Sequence, residues 1–257
     1  MHADSIITRD GQQIANRLLK ITSPTPDAAP KVIGILPETG HNAPVVKLAR
    51  DVAAAAEGFS VRVADVARSL AGPTHRAGLK REEVAKLAPV INSAAVEIST
   101  AKARVNGSMT ALSFTPAYGS GRLPGHQPFF DLEVSKAFAA QSATERTVQL
   151  AMLKREPFDL GLIDALQRVP PIVSGVSRRD LQELRIAGVK TFMRAEVATL
   201  EGEIAQIELA EAAVRASVDI VNEATGTLAD LRTLAPEAMA LYADSTRLQW
   251  LAPADEA

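Results

Sequence analysis

A short polar loop, PETGHN at residues 37–42, carries the side chains best suited to bind a ligand in this sequence. It follows an apolar run that predicts a buried strand, and it precedes a predicted helix that begins at Pro44. Ligands of open α/β sheets bind at the carboxyl ends of strands, where the free N–H groups of a following helix favour anions. The residues that would line a nucleotide or small-metabolite site are Glu38, Thr39, His41 and Asn42.

A simpler interpretation treats the same loop as the start of a helix. A single glycine and an acidic side chain make a poor phosphate-binding loop, whereas asparagine and proline are common where helices begin. Ligand binding at residues 37–42 is therefore the alternative hypothesis for function and not the first.

Basic side chains cluster in a second segment, HRAGLKREE at residues 75–83. Glu82 and Glu83 offset these charges within one turn, which favours a solvated helix start. No interleaved aromatic residues could stack on bases, so the sequence argues against nucleic acid as a partner. The residues that would make such a contact are Arg68, Arg76, Lys80 and Arg81.

Common catalytic and cofactor motifs are missing from the sequence, which lacks GxxxxGK[ST], GxGxxG, HExxH and GxSxG. It holds no cysteine, which excludes disulfides and thiolate metal sites, and its four histidines are scattered along the chain. We predict no catalytic residues, no cofactor and no metal site. The sequence favours a protein that is not an enzyme.

The composition is that of a folded protein with little overall charge. Apolar residues make up 47% of the 257 residues, and 28 basic against 30 acidic side chains give a net charge of -2. Such a charge attracts neither polyanions nor an anionic membrane, and no apolar run reaches the roughly 20 residues of a membrane-spanning helix. The polar N-terminus lacks a signal-peptide core, so we expect a cytoplasmic protein or one incorporated in a soluble particle.

Three segments and an α+β fold that is mainly α are predicted. Residues 1–30 form an N-terminal arm, with a short helix at 11–21 and a proline-rich linker at 23–30. A small α/β module follows at 31–129, and a helical bundle or coiled-coil region occupies 130–257.

Within the α/β module we expect a βαβ unit. A strand at 31–36, a helix at 44–57 and a strand at 59–66 have the lengths of a right-handed crossover between parallel strands. Such a unit needs further strands to complete a sheet, and a β-hairpin is expected to follow it.

Two local signals shape the rest of this module. A helix at 79–88 should end at Pro89, because proline removes a helical hydrogen bond. The dipeptide Asn106-Gly107 predicts the β-hairpin, since both residues tolerate the positive φ of a type I′ turn. A loop rich in glycine and proline is expected at 116–128.

From about residue 130 onward the sequence predicts helices. Residues 131–155 contain neither proline nor glycine, and a second helix is expected between Pro157 and Pro170. A long helix should run from about 178 to 225, followed by a last helix at 236–250.

The long helix carries a heptad pattern. Within residues 193–223 the apolar positions alternate in steps of three and four, with one acidic residue, Glu211, in the series. The apolar steps from Ile186 to Val197 add up to an eleven-residue block, which would relax the left-handed supercoil locally. The predicted interaction seam is Ile186, Val189, Met193, Val197, Leu200, Ile204, Ile207, Glu211, Val214, Val218 and Val221.

Two kinds of partner are open for this seam. The helix could pack within the chain against the helices at 131–155 and 236–250, or it could form a coiled coil between chains. An acidic seam residue is costly when fully buried, so Glu211 marks either a register-setting pair or a position that is open to water.

These features predict a non-enzymatic structural or assembly protein that makes oligomeric or partner contacts through its long helix. We expect a homo-oligomer or a larger protein assembly, in the style of components of large bacterial or phage complexes. The alternative is a nucleotide- or small-metabolite-binding α/β protein that uses the loop at 37–42.

Overall fold

The chain folds mainly into helices, and the computed structural model describes residues 17–25, 28–37, 43–112, 127–155, 160–244, 246 and 248. The strands are β1 (Leu18–Ile21) and β2 (Lys31–Ile35). The helices are α1 (Pro44–Arg68), α2 (Pro73–Ala111), α3 (Gln127–Ala139), α4 (Ala143–Leu153), α5 (Leu160–Arg168), α6 (Pro171–Ser174), α7 (Arg178–Phe192), α8 (Arg194–Thr225), α9 (Ala229–Leu234) and α10 (Pro236–Ala243). The predicted α+β class, mainly α, is confirmed.

The strands β1 and β2 form an antiparallel pair and not the predicted parallel βαβ unit. Their register places Leu18 opposite Ile35 and Ile21 opposite Lys31. The proline-rich segment is therefore the connection of a hairpin. The helix predicted at 11–21 is wrong at its C-terminal end, because an apolar spacing of three residues over so short a stretch does not separate a helix from a strand.

This hairpin packs on α1 and α8. The N–H and hydroxyl groups of Thr22, just after β1, donate to the two carboxylate oxygens of Glu57 on α1. On the other strand, Gly34 closely approaches α8, since a Cβ atom at this position would lie 2.8 Å from Cδ1 of Leu209. A side chain at this position would have to displace that leucine.

Helix α1 begins at Pro44 as expected, but it continues through residues 59–66, where the predicted second strand is wrong. The alternating letters of FSVRV fit a strand locally, yet the buried side chains follow a helical period that passes through Gly58 without interruption. The side chains that share this buried face are Val52, Ala56, Phe59 and Val63.

Helix α2 continues through both Pro89 and Asn106-Gly107, so the predicted helix end and β-hairpin are wrong. A buried stripe runs past both features at helical spacing: Val84, Leu87, Ala88, Ile91, Ala94, Ala95, Ile98, Val105 and Met109. Proline in a helix interior costs about 3 kcal/mol and glycine about 1 kcal/mol. Each fully buried large apolar side chain contributes roughly 1.5–3 kcal/mol, so the stripe outweighs both local signals.

The helices predicted after residue 130 are present with two additional breaks. The segment 131–155 divides into α3 and α4, because Ser142 and Glu145 form a reciprocal capping box at the start of α4. The long helix divides at Met193, whose φ of -117° and ψ of 46° leave the α-helical region. The predicted eleven-residue block crosses this break and is therefore not one continuous helix.

The chain divides into two compact units. Unit 1 contains Met1–Val105 and Gly202–Arg247, and unit 2 contains Asn106–Glu201 and Leu248–Ala257. In unit 1 the buried side chains come from β1, α1, the parts of α2 and α8 within this unit, α9 and α10. Helix α10 is shorter than the helix predicted at 236–250. The predicted domain boundaries at residues 30 and 129 stay a prediction.

Unit 2 has a smaller core, made by side chains of α3, α4, α5 and α7 and by Val176 just before α7. Its buried cluster consists of Val134, Phe138, Leu150, Leu153, Ile163, Ala165, Leu166, Val176 and Leu184. Beside this cluster, the guanidinium of Arg168 donates to both carboxylate oxygens of Asp131, at 2.8 and 2.7 Å. Burial raises the pKa of Asp131 and lowers the pKa of Arg168.

Candidate functional site

The residues of the predicted ligand loop, Glu38, Thr39, His41 and Asn42, lie outside the described residues. Ala43, which follows them, makes no side-chain hydrogen bond to the start of α1. The strand before the loop belongs to an antiparallel hairpin, so the reasoning from open parallel sheets no longer supports a site here. Ligand binding by this loop stays a prediction.

The predicted seam residues lie on α7, on α8 and at the break between them. Buried are Val189 on α7 and Val197, Leu200, Ile207, Val214, Val218 and Val221 on α8, whereas Ile186, Met193, Ile204 and Glu211 are half-buried. Helix α8 also buries Leu209, Ala210, Ala213, Ser217 and Ile220. Its apolar face in unit 1 is therefore wider than a heptad seam, as in a helix packed against several neighbours.

Helix α2 is a partner of α8 within unit 1. Three side-chain contacts join the two helices: Lys80 Nζ to the carbonyl oxygen of Ala224 at 2.6 Å, Lys102 Nζ to Glu211 Oε1 at 2.7 Å, and Arg104 to Glu203 Oε2 at 3.0 Å. Residue numbers rise along α2 as they fall along α8, so the helices run antiparallel over about 35 Å at 1.5 Å per residue. In unit 1 the seam thus packs within the same chain.

A charged pair interrupts the apolar contact between α2 and α8. Lys102 lies between Ile98 and Val105 in the buried stripe of α2, and Glu211 occupies the matching place on α8. The two side chains are only 15% and 12% exposed. Of the two meanings that the sequence allowed for Glu211, this geometry is that of a paired position.

Lys102 is not among the predicted site residues, because the sequence predicts that its segment is one strand of a β-hairpin. The signal that could have found it is the apolar spacing around it. Ile98 and Val105 are seven residues apart, with Lys102 four residues after the first, which is the spacing of one helical face. An antiparallel arrangement of two such faces, each with one charge of opposite sign, predicts the pair.

Two residues after α10 also contact Lys102. Its ammonium group lies 3.4 Å from Oδ2 of Asp244 and donates to the carbonyl oxygen of Thr246 at 3.1 Å. The N–H of Thr246 donates to the other carboxylate oxygen of Asp244 at 2.8 Å. Hydrogen bonding from Thr246, aided by the charge of Lys102, lowers the pKa of Asp244 to about 2.

Further polar contacts join α8 to α10, to the residue that follows α10 and to β2. The guanidinium of Arg215 donates to the carbonyl oxygens of Tyr242 and Asp244. The hydroxyl of Tyr242 donates to Asp219 at 2.7 Å, and this hydrogen bond, with the carboxylate charge, raises the pKa of Tyr242. Lys31 on β2 lies 2.8 Å from Glu223 on α8. These contacts fix the positions of the elements around α8.

The basic cluster singled out in the sequence is largely occupied with helix ends. Arg76 donates to the carbonyl oxygen of Ala67 in the last turn of α1, at 3.3 Å, and Lys80 caps the end of α8 as described above. Arg81 lies 3.5 Å from Asp230. Cations near helix C-termini are favourable because the last carbonyl groups carry partial negative charge. Arg68 pairs separately with Asp65 in its own helix.

Six exposed large apolar side chains lie on the short helices α3, α4 and α6 of unit 2. They are Phe129 and Leu132 on α3, Val148 and Met152 on α4, and Ile172 and Val173 on α6. Within α3 and within α4 the two residues are spaced three and four apart, so each pair lies on one face of its helix. Helices α3 and α6 pack against each other.

Comparison with known proteins gives no relative: no family model, no curated protein and no solved structure matches this chain. Within the residues that the structure describes, every helix is too short or too polar to span a lipid bilayer. In the same part of the chain, no three or more acidic or histidine side chains come together as a group that could hold a metal ion.

Proposed function

We propose that this chain is a non-enzymatic structural or assembly protein that binds further copies of itself. The observation that carries the proposal is the exposed apolar surface of unit 2. Phe129 is 70% exposed and Ile172 is 93% exposed, on two helices that pack together. Such exposed apolar side chains offer surface that a partner would bury, and large apolar patches are typical of contact surfaces.

The seam of α8 is a weaker candidate for contacts between chains. In unit 1 its apolar side chains are buried against the same chain, and the charged pair of Lys102 and Glu211 lies within that contact. The remaining surface of α8 in unit 1 is polar and exposed at positions such as Glu208. We therefore assign the contact to α3, α4 and α6 instead of the long helix.

A second copy is the partner that this surface fits best. The net charge of -2 gives only weak repulsion between copies. An apolar surface that is identical on both copies can bury itself in a symmetric contact, which is the commonest arrangement of homo-oligomers. Membership of a large bacterial or phage assembly stays a prediction.

Sedimentation equilibrium tests this function directly. We expect the average particle mass in solution to exceed the 27.2 kDa of one chain and to rise with protein concentration. The double substitution Phe129→Ser and Ile172→Ser should weaken association at least tenfold, as expected for central apolar contact residues. Because both side chains are exposed, the free energy of unfolding should change little.

The matched control is Val61→Ser, which removes a half-exposed apolar side chain from α1 in unit 1. This variant should associate like the unsubstituted chain. A strict monomer at high concentration, or equal weakening by Val61→Ser and by the double substitution, would contradict the proposal.

A further inference from the structure

A cavity of about 400 Å³ opens at one end of unit 1, where α1 ends, α2 begins, α8 ends and α9 begins. It collects the three basic side chains of one stretch of α2. The polar residues that line it are Arg76, Lys80, Arg81, Thr225, Thr227 and Asp230. The cavity is therefore lined by three cations and one carboxylate, in a chain whose net charge is negative.

Two of the three cations, Arg76 and Lys80, already contact backbone carbonyl groups before any ligand arrives. The carbonyl oxygens of Ala224 and Ala67 fix Lys80 and Arg76, and both residues are half-buried. Their side-chain entropy is thus already reduced, which lowers the cost of binding a ligand. Preorganised charges also need less rearrangement to meet an anion.

The same cations keep donors for a ligand. Within the described residues, Lys80 uses one of the three N–H groups of its ammonium, and the contact of Arg76 uses one of the five N–H groups of a guanidinium. The hydroxyl of Thr227, which accepts a hydrogen bond from the N–H of Ala229, adds a further donor.

We propose that this cavity binds a small molecule that carries two or more linked phosphate groups. Arg76, Lys80 and Arg81 lie within six consecutive residues of one helix, a span of about 7.5 Å along its axis, which matches one diphosphate group. Arginine and lysine are the side chains that bind phosphate oxygens most strongly. The short span also distinguishes this site from a track of basic residues along a nucleic acid strand.

The carboxylate of Asp230 would compete with a bound anion for the basic side chains of the cavity. Its carboxylate lies 3.5 Å from Nε of Arg81, so it holds part of the charge that the ligand needs. A bound diphosphate must displace this contact or tolerate a negative group beside it. Neutralising the carboxylate should therefore tighten binding, a result that damage to the fold does not imitate.

Isothermal titration calorimetry with pyrophosphate tests the site on the full chain at low ionic strength. We expect one saturable site, with inorganic phosphate binding about tenfold more weakly because it reaches fewer cations. Arg81→Gln should weaken pyrophosphate about tenfold through the loss of a charged hydrogen-bond donor. Asp230→Asn should strengthen it about fivefold through the loss of like-charge repulsion.

Arg68→Gln is the matched control, since Arg68 is a basic residue beside the cavity wall that pairs with Asp65 and does not line the cavity. It should leave pyrophosphate binding unchanged. The proposal is overturned if pyrophosphate gives no saturable binding, if Arg68→Gln weakens binding as much as Arg81→Gln, or if Asp230→Asn does not strengthen it. Tighter binding of a single-stranded oligonucleotide than of pyrophosphate would also overturn it.

Discussion

Unit 1 and unit 2 bury their apolar side chains in different ways. In unit 1, α2 and α8 lie antiparallel and share a long stripe of small and medium side chains, interrupted by one charged pair. In unit 2, side chains of the shorter helices α3, α4, α5 and α7, together with Val176, form a smaller cluster that includes Phe138. Unit 1 therefore spreads its apolar burial over more side chains than unit 2 does.

Phe138→Ala tests the dependence of unit 2 on one side chain. Phe138 is 1% exposed within the buried cluster, so its truncation should cost about 3–5 kcal/mol of the free energy of unfolding. We expect hydrogen exchange to speed up for the amides of α3 to α7 and to change little for α1. The matched variant Phe59→Ala, at a fully buried phenylalanine of α1, should show the reverse pattern.

Equal loss of protection in both units, in either of these variants, would contradict the comparison. It would mean that the two units open together and share one stability. The distinction between local and global opening is the quantity that hydrogen exchange reports.

Replacing either member of the charged pair tests the contact between α2 and α8. Lys102→Met leaves the carboxylate of Glu211 half-buried without its cation, and we expect a loss of about 3 kcal/mol in thermal or denaturant unfolding. Glu211→Leu should cost less, about 1 kcal/mol, because Lys102 keeps its contacts with Asp244 and Thr246.

The double variant Lys102→Met and Glu211→Leu separates pairing from burial. Replacement of a buried ion pair by apolar residues is often neutral or stabilising, so the double variant should be close to the unsubstituted chain. A double-mutant cycle then gives the coupling between the two residues. If the losses in the free energy of unfolding of the two single variants add up in the double variant, Lys102 and Glu211 do not stabilise the fold through their interaction.

The sequence predicts α8 well and its partner poorly. The heptad positions and the special role of Glu211 follow from spacing alone, because burial on one face of a helix imposes that period. The sequence does not predict α2 as one helix, because Pro89 and Asn106-Gly107 each disfavour a helix locally. These local costs are smaller than the stabilisation from the many buried side chains, which contact one another only in the folded chain.

The hairpin and the charged cluster show a second limit of sequence reasoning. Leu18 and Ile21 fit a helical turn as well as a strand, and only the pairing with β2 decides between them. Likewise, the binding role that we propose for Arg76 and Lys80 depends on their contacts with the ends of α1 and α8. Those helix ends lie near the two residues only in the folded chain. Contacts between residues far apart in sequence cannot be read from a single segment.

Acid titration gives the smallest effect and tests the rim of the charged pair. The pKa of Asp244 is lowered to about 2 from an ordinary value of 3.8, so its carboxylate binds a proton less readily in the folded chain than in the unfolded one. Its contribution to stability is therefore present above about pH 4 and is lost as the pH falls toward 2. The carboxylate is 38% exposed, so screening by solvent limits this contribution to under about 1 kcal/mol. We expect Asp244→Asn to be less stable than the unsubstituted chain at pH 6 and equal to it near pH 2, as measured by urea unfolding. A difference that stays constant across this range would show that Asp244 acts through its shape and hydrogen bonds instead of through its charge.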